Sequence, residues 1–549
     1  MTTMAELVMA QAGNDRTGLR FEDSSWTYAD LVKAATTRAA LLHELRRPGP
    51  FHVGVLLENV PEFPMWLSAA ALVGATIVGI NPTRRGAELA RDITHTDCQL
   101  LVTATEHAEL LDGLEVGVGD DRVLLTNTPA YAKQLAPFAD VPIPDTQVTE
   151  RDLYLLLFTS GTTGAPKAVV CSQGRLAGIG VKVAEMFQLN GDDVCYAAMP
   201  MYHSNALMAG WAPALAGGAT VALRRKFSAS GFLPDVRRHG VTFVNYVGKP
   251  LSYVLATPER PDDADNTLRL VFGNEAADLD IERFARRFGC HVIDGYGSTE
   301  GGANVNRSPD MPPGSLGRAP EGTVVLNAET EEECSPARFD DKGLLVNPDE
   351  AIGELVNKLG AAGFEGYWKN DEANAARTRD GMYWTGDLAY KDDQGFVYFA
   401  GRDFEWLRVD GENFAAAPVE RILARFSDVV LAAVYAVPDP DVGDRVMAAL
   451  QLRAGSPFDP EAFTTFLGQQ PDLGTKWAPT FVRIADELPV TPTAKVLKRV
   501  LRRERWETSD PVWWRPTKND DYRRLTREDV DAITREFEAR GRSSVLAAT

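Results

Sequence analysis

The chain has 549 residues, a formal net charge of −20 and 44% hydrophobic residues. This length is too great for one hydrophobic core, so we expect at least two domains. The acidic balance argues against a nucleic-acid-binding surface, and the hydrophobic content excludes a chain that is disordered throughout.

Strand-like and helix-like segments alternate along the chain. Helical patterns cover residues 28–46, 62–73 and 460–469, and short apolar runs predict strands at 53–57, 100–102, 123–125, 241–246 and 429–437. This alternation predicts parallel α/β layers. The acidic segment Ala328–Lys342 interrupts the pattern and predicts a solvated loop. From about residue 402 onward the chain restarts with short strands and helices.

Neither a signal peptide nor a membrane span is predicted. Residues 1–16 lack a basic region followed by a long apolar core. Residues 65–80 are apolar but short for a membrane span, and Gly74 and Gly79 interrupt them, so we expect a buried core helix. Five cysteines without paired spacing predict no disulfide framework or zinc site. We therefore expect a cytoplasmic enzyme in a reducing compartment.

The segment Thr159–Lys167 reads TSGTTGAPK and directly follows the apolar run Leu153–Phe158. Small and hydroxyl-bearing residues let N–H and O–H groups crowd around phosphate oxygens, and Lys167 adds a positive charge. A Walker A loop requires Ser or Thr after the lysine, whereas Ala168 stands here, so a P-loop kinase or GTPase is disfavoured. The alternative is a polar turn between two strands. We interpret the segment as a phosphate-binding loop.

Further segments follow the loop in a fixed order and carry a resemblance. They read PMYHSN (Pro200–Asn205), FGNEA (Phe272–Ala276), GYGSTEG (Gly295–Gly301), YWTGDLA (Tyr383–Ala389), GRDFEWLRVDGEN (Gly401–Asn413) and PVTPTAKVLKR (Pro489–Arg499). Together they resemble the adenylate-forming superfamily of acyl-CoA synthetases, luciferases and peptide-synthetase adenylation domains. Within it, YGSTEGGANVN is most similar to the fatty-acid transport protein and very-long-chain acyl-CoA synthetase branch. RRKFSAS (Arg224–Ser230) and NYVGKPLSYVLATPE (Asn245–Glu259) resemble actinobacterial ligases of fatty acids or steroid side-chain carboxylates.

The resemblance implies an α/β fold with two domains. A large multi-layered N-terminal domain of adenylate-forming type is expected over residues 1–402. A small mobile α+β C-terminal domain with the catalytic lysine loop and an extra tail is expected over 403–549. The implied reaction uses ATP, Mg²⁺ and coenzyme A: a carboxylate attacks the α-phosphorus of ATP, pyrophosphate leaves, and CoA takes the acyl group from acyl-AMP. The first step depends on in-line positioning and on neutralising phosphoryl charge.

The resemblance also implies the nucleotide-binding residues. The β- and γ-phosphates are assigned to Thr159, Ser160, Gly161, Thr162, Thr163, Gly164 and Lys167. Thr299 is expected at the α-phosphate, and Glu300 is expected to hold magnesium, which suits a hard carboxylate oxygen. Tyr296 and Gly297 are expected at the nucleotide, with Gly273, Asn274 and Glu275 between the adenine and the acyl tunnel. The alternatives are a solvated carboxylate for Glu300 and a core tyrosine for Tyr296.

Four more assignments follow from the resemblance. Asp387 and Arg402 match the pair that contacts the ribose hydroxyls. Lys495 matches the lysine that reaches over the reacting carboxylate and α-phosphate, although Ala494 replaces the usual glycine before it. His203 matches an aromatic gate at the carboxylate end of the acyl tunnel, with a satisfied core histidine as the alternative.

In the second half-reaction, the family rotates its small domain so that Lys495 leaves and a pantetheine tunnel forms. Gly411 is expected to line that tunnel, where the lack of a side chain allows close approach. The hinge has Phe404 where the family often has Asp or Lys, so the pivot stays open. The basic run around Lys498 and Arg499 is either a CoA-phosphate contact or a solvated helix face. The tail predicts a helix capped by Thr526 that docks onto the body.

These patterns favour an ATP-dependent acyl-CoA ligase. An acyl-AMP ligase that loads a carrier protein and a noncatalytic acyl- or nucleotide-binding protein are the alternatives. We expect a long or bulky hydrophobic acid, with Gly248 as a width determinant of the acyl tunnel. The expected partners are small molecules, with no nucleic acid and no transmembrane segment. A homodimer and a peripheral membrane contact are compatible with the sequence.

Overall fold

The fold is described from a computed structural model of the chain. It describes residues 2–143, 145–159, 167–305, 307, 310–341, 343, 345–361, 363–401, 406–409, 412–441, 443–474, 476–491, 495–517 and 520–547. Within these residues the chain forms a large N-terminal α/β region and a smaller C-terminal α+β region.

Two largely parallel sheets form the body of the N-terminal region. Sheet A contains, in spatial order, the strands His291–Asp294, Leu270–Asn274, Phe243–Val247, Val194–Ala197, Thr220–Leu223, Thr17–Phe21 and Ser24–Thr27. Sheet B contains Val123–Leu125, Cys98–Thr103, His52–Leu56, Thr76–Gly79, Leu153–Phe158 and Ala168–Ser172. In each sheet the last pair in this order is antiparallel and the other neighbours are parallel. The predicted parallel α/β layers are therefore confirmed.

A third, antiparallel sheet adds a layer that the sequence patterns did not predict. Sheet C contains Gly317–Arg318, Phe396–Gly401, Met382–Lys391, Gly353–Asn357 and Thr323–Leu326, and Thr378–Arg379 pairs with its long strand Met382–Lys391. The hairpin Trp406–Val409 and Glu412–Ala415 follows it.

The C-terminal region is built on sheet D. Its strands are Val429–Pro438, Asp444–Leu452, Phe481–Ala485, Val512–Trp514 and Arg523–Arg524. The tail helix Arg527–Ala539 begins at Thr526, whose side chain accepts the Asp529 N–H in a capping box. Ile533 and Phe537 of this helix are buried against sheet D, so the tail docks onto the C-terminal region.

Helices cover both faces of the parallel sheets, where apolar residues are removed from water. The α-helices are Met4–Met9, Tyr28–Leu45, Glu62–Val73, Gly86–His95, Thr105–Ala108, Pro129–Leu135, Gln173–Phe187, Ala212–Gly217, Ala229–His239, Pro250–Leu255, Asp278–Phe288, Pro348–Ala351, Asp371–Arg377, Ala416–Leu423, Pro460–Gly468, Lys498–Glu504, Arg527–Ala539 and Ser543–Ala547. Short 3₁₀ turns cover Glu109–Leu111, Asp120–Arg122 and Ala136–Phe138, and Ala206–Trp211 is a π-helix. The stretch 65–80 contributes a buried helix and strand, and no helix among the described residues has the length and apolar character needed to cross a bilayer.

Candidate active site

The two ends of the TSGTTGAPK loop lie at the neck of a hairpin. The strands Leu153–Phe158 and Ala168–Ser172 are antiparallel, and the Thr159 N–H donates to the Lys167 carbonyl at 3.1 Å. The Lys167 ammonium lies 6.0 Å from the centre of the Tyr367 ring. Of the loop residues assigned to phosphates, Ser160, Gly161, Thr162, Thr163 and Gly164 lie outside the described residues.

Glu300 is a buried carboxylate with an ordered partner. The Tyr367 hydroxyl donates to Glu300 Oε1 at 2.8 Å, and Arg377 Nε donates to the same hydroxyl oxygen at 3.3 Å. Tyr367 is itself buried, and burial followed by the nearby Glu300 charge raises its pKa, so it stays a neutral donor. Among the described residues Glu300 forms no ion pair with Lys or Arg. Its carboxylate is therefore held in place while its charge remains available to a cation.

The backbone around Thr299 and Glu300 is fixed by one arginine. Arg175, from the helix Gln173–Phe187, donates Nη2 to the Thr299 carbonyl at 2.6 Å and to the Glu300 carbonyl at 2.8 Å. The Thr299 hydroxyl lies 2.7 Å from Ser204 Oγ in the PMYHSN segment. Two predicted site segments that are far apart in sequence thus meet at Thr299.

His203 precedes Ser204, whose hydroxyl contacts Thr299. The Asn205 N–H donates to His203 Nδ1 at 3.3 Å, and Asn205 is held by the Tyr246 carbonyl and by Asn245. Burial lowers the pKa of His203 to about 4, against smaller opposing effects of the Glu275 and Glu300 charges. The imidazole is therefore neutral at neutral pH and presents an uncharged surface, as an acyl-tunnel gate would.

Gly273 and Asn274 end the strand Leu270–Asn274 of sheet A, and Glu275 directly follows it. A Cβ on Gly273 would lie 2.3 Å from the Tyr246 carbonyl oxygen, so only glycine fits there. Asn274 donates Nδ2 to the Gly295 carbonyl at 2.5 Å and accepts the Gly248 N–H at its own carbonyl. Gly248 has a φ of +78°, so its backbone conformation favours glycine whatever the width of the tunnel.

Tyr296 and Asp387 are also brought together. The Tyr296 hydroxyl donates to Asp387 Oδ2 at 2.6 Å, and Asp387 is buried on the long strand of sheet C. Burial, followed by the charge of Asp387, raises the pKa of Tyr296 far above its usual value. Gly297 is exposed beside them, while Arg402, the expected second ribose contact, lies outside the described residues.

Lys495 reaches the site from the C-terminal region. Its ammonium lies 3.3 Å from Glu275 Oε1, and both side chains are partly exposed. Glu275 has a φ of +71°, a left-handed conformation that is uncommon for a residue with a side chain. Gly411 lies outside the described residues, and Lys498 forms an ion pair with Glu420 at 2.9 Å.

Several residues that shape the site were missed by the sequence analysis. The Thr299–Glu300 segment is held by Arg175, Ser204 and Tyr367, each of which is at least 67 residues away in sequence. Arg377 contributes through its hydrogen bond to Tyr367. The aromatic run at Tyr367 is visible in the sequence, but nothing local indicates its partner.

Two family models match the chain. The model described as AMP-binding enzyme matches residues 7–368, and the model described as AMP-binding enzyme C-terminal domain matches residues 418–495. Among solved structures, a benzoate CoA ligase from Burkholderia xenovorans LB400 has a TM-score of 0.77 at 21% identity. The match covers 91% of this chain and 100% of that chain. It supports the adenylate-forming fold that the motifs predicted.

Two curated relatives are much closer in sequence. A steroid-22-oyl-CoA synthetase of Rhodococcus jostii (strain RHA1) is 52% identical, and the match covers 99% of each chain. A medium/long-chain-fatty-acid–CoA ligase of Mycobacterium tuberculosis, FadD17, is 49% identical over 93% of this chain and 98% of its own. These matches confirm the predicted resemblance to actinobacterial ligases.

Proposed function

We propose that the substrate of this chain is the side-chain carboxylate of a steroid. The chain belongs to the AMP-binding enzyme family and is an acyl-CoA ligase that acts through an acyl-AMP. The runner-up is a medium- or long-chain fatty acid. The relative named for a steroid acid matches slightly better and over nearly the full length of both chains, which favours the first candidate.

One geometric observation carries the assignment of the reaction to these residues. The Ser204 and Thr299 hydroxyls lie 2.7 Å apart, which brings the segment of His203 against the segment of Glu300, and the Lys495 ammonium lies 3.3 Å from Glu275 Oε1. A carboxylic acid whose head group reaches His203 would therefore lie near the expected metal ligand and near the mobile cation. This is the arrangement that attack on an α-phosphorus requires.

In adenylation, we assign Thr299 to the α-phosphate and Lys167 to the departing pyrophosphate. Lys495 offsets the negative charge that builds on the carboxylate and α-phosphate oxygens. Tyr296 and Asp387 border the nucleoside, where Asp387 can accept hydrogen bonds from ribose hydroxyls. His203 separates this polar region from the acyl tunnel.

Glu300 fits the magnesium ion that the ATP reaction uses. It is a buried, unneutralised carboxylate held by Tyr367, and magnesium in such sites is bound by one or two carboxylates together with substrate phosphates and water. Among the described residues no cluster of three or more metal-ligating side chains occurs. Bound there, magnesium would neutralise phosphoryl charge.

For thioester formation, CoA must reach the acyl carbon after Lys495 has withdrawn. We propose that residues 403–549 move as the small domain and residues 1–402 stay in place. Lys498 is committed to Glu420 in the present arrangement, so a CoA-phosphate contact by this lysine would require that ion pair to open.

The test is CoA-dependent AMP release from ATP with a panel of acids. Steroid side-chain acids should give the highest kcat/KM, fatty acids of medium length or more a lower one, and acetate a value several orders of magnitude below both, since each buried methylene contributes about 0.8 kcal/mol. A carrier-loading enzyme would form acyl-AMP without CoA-dependent turnover, and a noncatalytic protein would release no pyrophosphate. Substituting Gly248→Leu would strain the backbone as well as narrow the tunnel, so width is better tested by Leu251→Phe on the helix Pro250–Leu255.

We also propose a cytoplasmic location. All five cysteines are free thiols, and burial raises the pKa of each of them, which suits a reducing compartment. A homodimer and a peripheral membrane contact stay proposals, to be tested by light scattering and vesicle sedimentation.

A further inference from the structure

Glu275 has a strained backbone conformation at the point where the two regions of the chain meet. It directly follows the strand Leu270–Asn274, and its φ of +71° is uncommon for a residue with a side chain. Such a conformation persists only where neighbouring groups hold it. The Glu275 carboxylate lies 3.3 Å from the Lys495 ammonium. The strained residue is therefore the one that meets the lysine of the C-terminal region.

Asp294 holds the peptide group that follows Glu275. It ends the strand His291–Asp294, stands opposite Gly273 in the parallel pair of strands, and is 6% exposed. Its Oδ2 accepts the Ala276 N–H at 3.0 Å. Because the peptide group between Glu275 and Ala276 is planar, this hydrogen bond fixes its orientation. Burial raises the pKa of Asp294 to about 6, so its carboxylate is charged at neutral pH.

Asp294 is itself held from two further sides. The Tyr246 hydroxyl donates to Asp294 Oδ2 at 2.5 Å. Arg307 Nη2 lies 3.7 Å from Asp294 Oδ1 and 3.1 Å from Asp278 Oδ1, and Asp278 is the first residue of the next helix. The segment between the strand and this helix, which contains Glu275, is therefore fixed near both of its ends.

Lys495 is anchored through its backbone and through its side chain. The Thr491 N–H donates to the Lys495 carbonyl at 2.7 Å, and the Thr491 hydroxyl accepts the Lys495 N–H at 3.1 Å. Its ammonium meets Glu275 and has three N–H donors. Lys495 can therefore stay on Glu275 while it donates to a reacting carboxylate and an α-phosphate oxygen. An ammonium placed before the reaction begins needs no rearrangement during it.

We propose that Glu275 is the docking point of Lys495 during adenylation and that Asp294 is a positioning residue, which acts on Lys495 through Glu275. The proposal rests on the proposed function, since it assumes that Lys495 serves adenylation. Asp294 reaches the lysine by way of the peptide group between Glu275 and Ala276. Its effect on the reaction should therefore depend on the Glu275 carboxylate.

The experiment is a double-mutant cycle that measures acyl-AMP formation in single turnovers without CoA. Glu275→Gln keeps the size of the side chain but removes its charge, and a fall of about fivefold is expected from a partly exposed ion pair. Asp294→Asn weakens the hold on the Ala276 N–H, and a fall of about threefold is expected. The double variant should be no slower than Glu275→Gln alone, since the two residues act in one chain of contacts. Thioester formation from supplied acyl-AMP should stay near wild type in all three variants.

Asp193→Asn is the matched control. Asp193 is 5% exposed and accepts the same three kinds of donor: the Asn190 N–H at 3.1 Å, the Thr242 hydroxyl at 2.7 Å and the guanidinium of Arg269 at 3.0 Å. It directly precedes a strand of sheet A, whereas Asp294 ends a parallel strand at the opposite edge. Asp193→Asn should leave the ratio of the two half-reaction rates unchanged, because a loss of folded enzyme lowers both rates equally.

The outcomes separate this proposal from the proposed function. A double variant that is slower than Glu275→Gln by the full factor seen for Asp294→Asn would show that Asp294 acts independently of Glu275 and would overturn the proposal. Wild-type adenylation in either single variant, or equal falls in both half-reactions, also overturns it. If Lys495→Ala lowers both half-reactions equally, or if no acid supports CoA-dependent AMP release, the proposed function fails first.

Discussion

The two charged groups expected at the reacting centre are held very differently. Glu300 is buried, its carboxylate accepts the Tyr367 hydroxyl, and its backbone carbonyl is held by Arg175. Lys495 is partly exposed and is held at the site by one ion pair with Glu275. The carboxylate has neighbours from the same N-terminal region, whereas the lysine is delivered from the other region.

This difference matches the chemistry of a two-step ligase. The residues expected to bind the nucleotide and the metal should be in place before ATP binds, because preorganised groups need no rearrangement during the reaction. On the proposed assignment Lys495 acts in adenylation only and leaves before CoA arrives, so a strong anchor would slow the second step. A partly exposed ion pair typically contributes about 0–1 kcal/mol and can be broken easily.

The largest expected effect is at Glu300, which Tyr367 and Arg175 hold in place. Glu300→Gln keeps the shape of the side chain but removes the anionic charge, so adenylation should fall by at least about a hundredfold. Tyr367→Phe removes only the hydroxyl that positions Glu300, and a fall of about tenfold is expected from one hydrogen bond to a charged group. Acyl-AMP formation at limiting magnesium measures both. Wild-type rates in Glu300→Gln with unchanged thermal stability would remove Glu300 from the metal site.

The motif GYGSTEG identifies Thr299 and Glu300 as candidate site residues, and their roles stay predictions. It does not identify the residues that hold this segment in place. Tyr367 and Arg175 could not be predicted, since their contacts depend on how sheet B and the following layers pack. The same limit applies to the fold. The helix Glu62–Val73 was predicted with its observed bounds from local pattern, whereas sheet C depends on antiparallel pairing over long separations and gave no local signal.

The second prediction concerns Lys495, which reaches the site from the C-terminal region. Lys495→Ala should lower adenylation by about a hundredfold or more, since it removes a positive charge aimed at developing phosphoryl charge. Thioester formation from supplied acyl-AMP should stay close to wild type, because the lysine is absent from that step. Single-turnover assays of each half-reaction measure this. The control is Lys33→Ala, which removes an exposed ion pair with Asp140 on segments that carry no assigned site residue and should change neither half-reaction. An equal fall in both half-reactions of Lys495→Ala would contradict the division of labour.

A third, smaller effect is expected where the two regions touch. Tyr253, on the helix Pro250–Leu255, packs against the apolar cluster of sheet D that includes Leu431 and Trp506. This contact favours the arrangement in which Lys495 reaches Glu275. Tyr253→Ala should therefore slow adenylation by about three- to tenfold through lost apolar burial, with no loss in thioester formation from acyl-AMP. Slower thioester formation with normal adenylation would show that the contact belongs to the other arrangement.

The smallest expected effect is a pH dependence of the free energy of unfolding that arises from His203. Burial lowers the pKa of His203 to about 4, whereas an unfolded histidine titrates near 6.5. Between these pH values the unfolded chain binds a proton and the folded imidazole does not. The contribution of His203 to the free energy of unfolding therefore falls as the pH falls through this window, and it is constant above about pH 6.5. In His203→Phe this loss is absent. The stability difference between wild type and variant, measured by urea unfolding of the N-terminal region from pH 4.5 to 7.5, should therefore shift against the wild type as the pH falls below 6.5. Other titrating groups are common to both proteins and cancel in the difference. A difference that is independent of pH would mean that His203 is solvated as an ordinary surface histidine, and the neutral gate between the acyl tunnel and the phosphates would lose its physical basis.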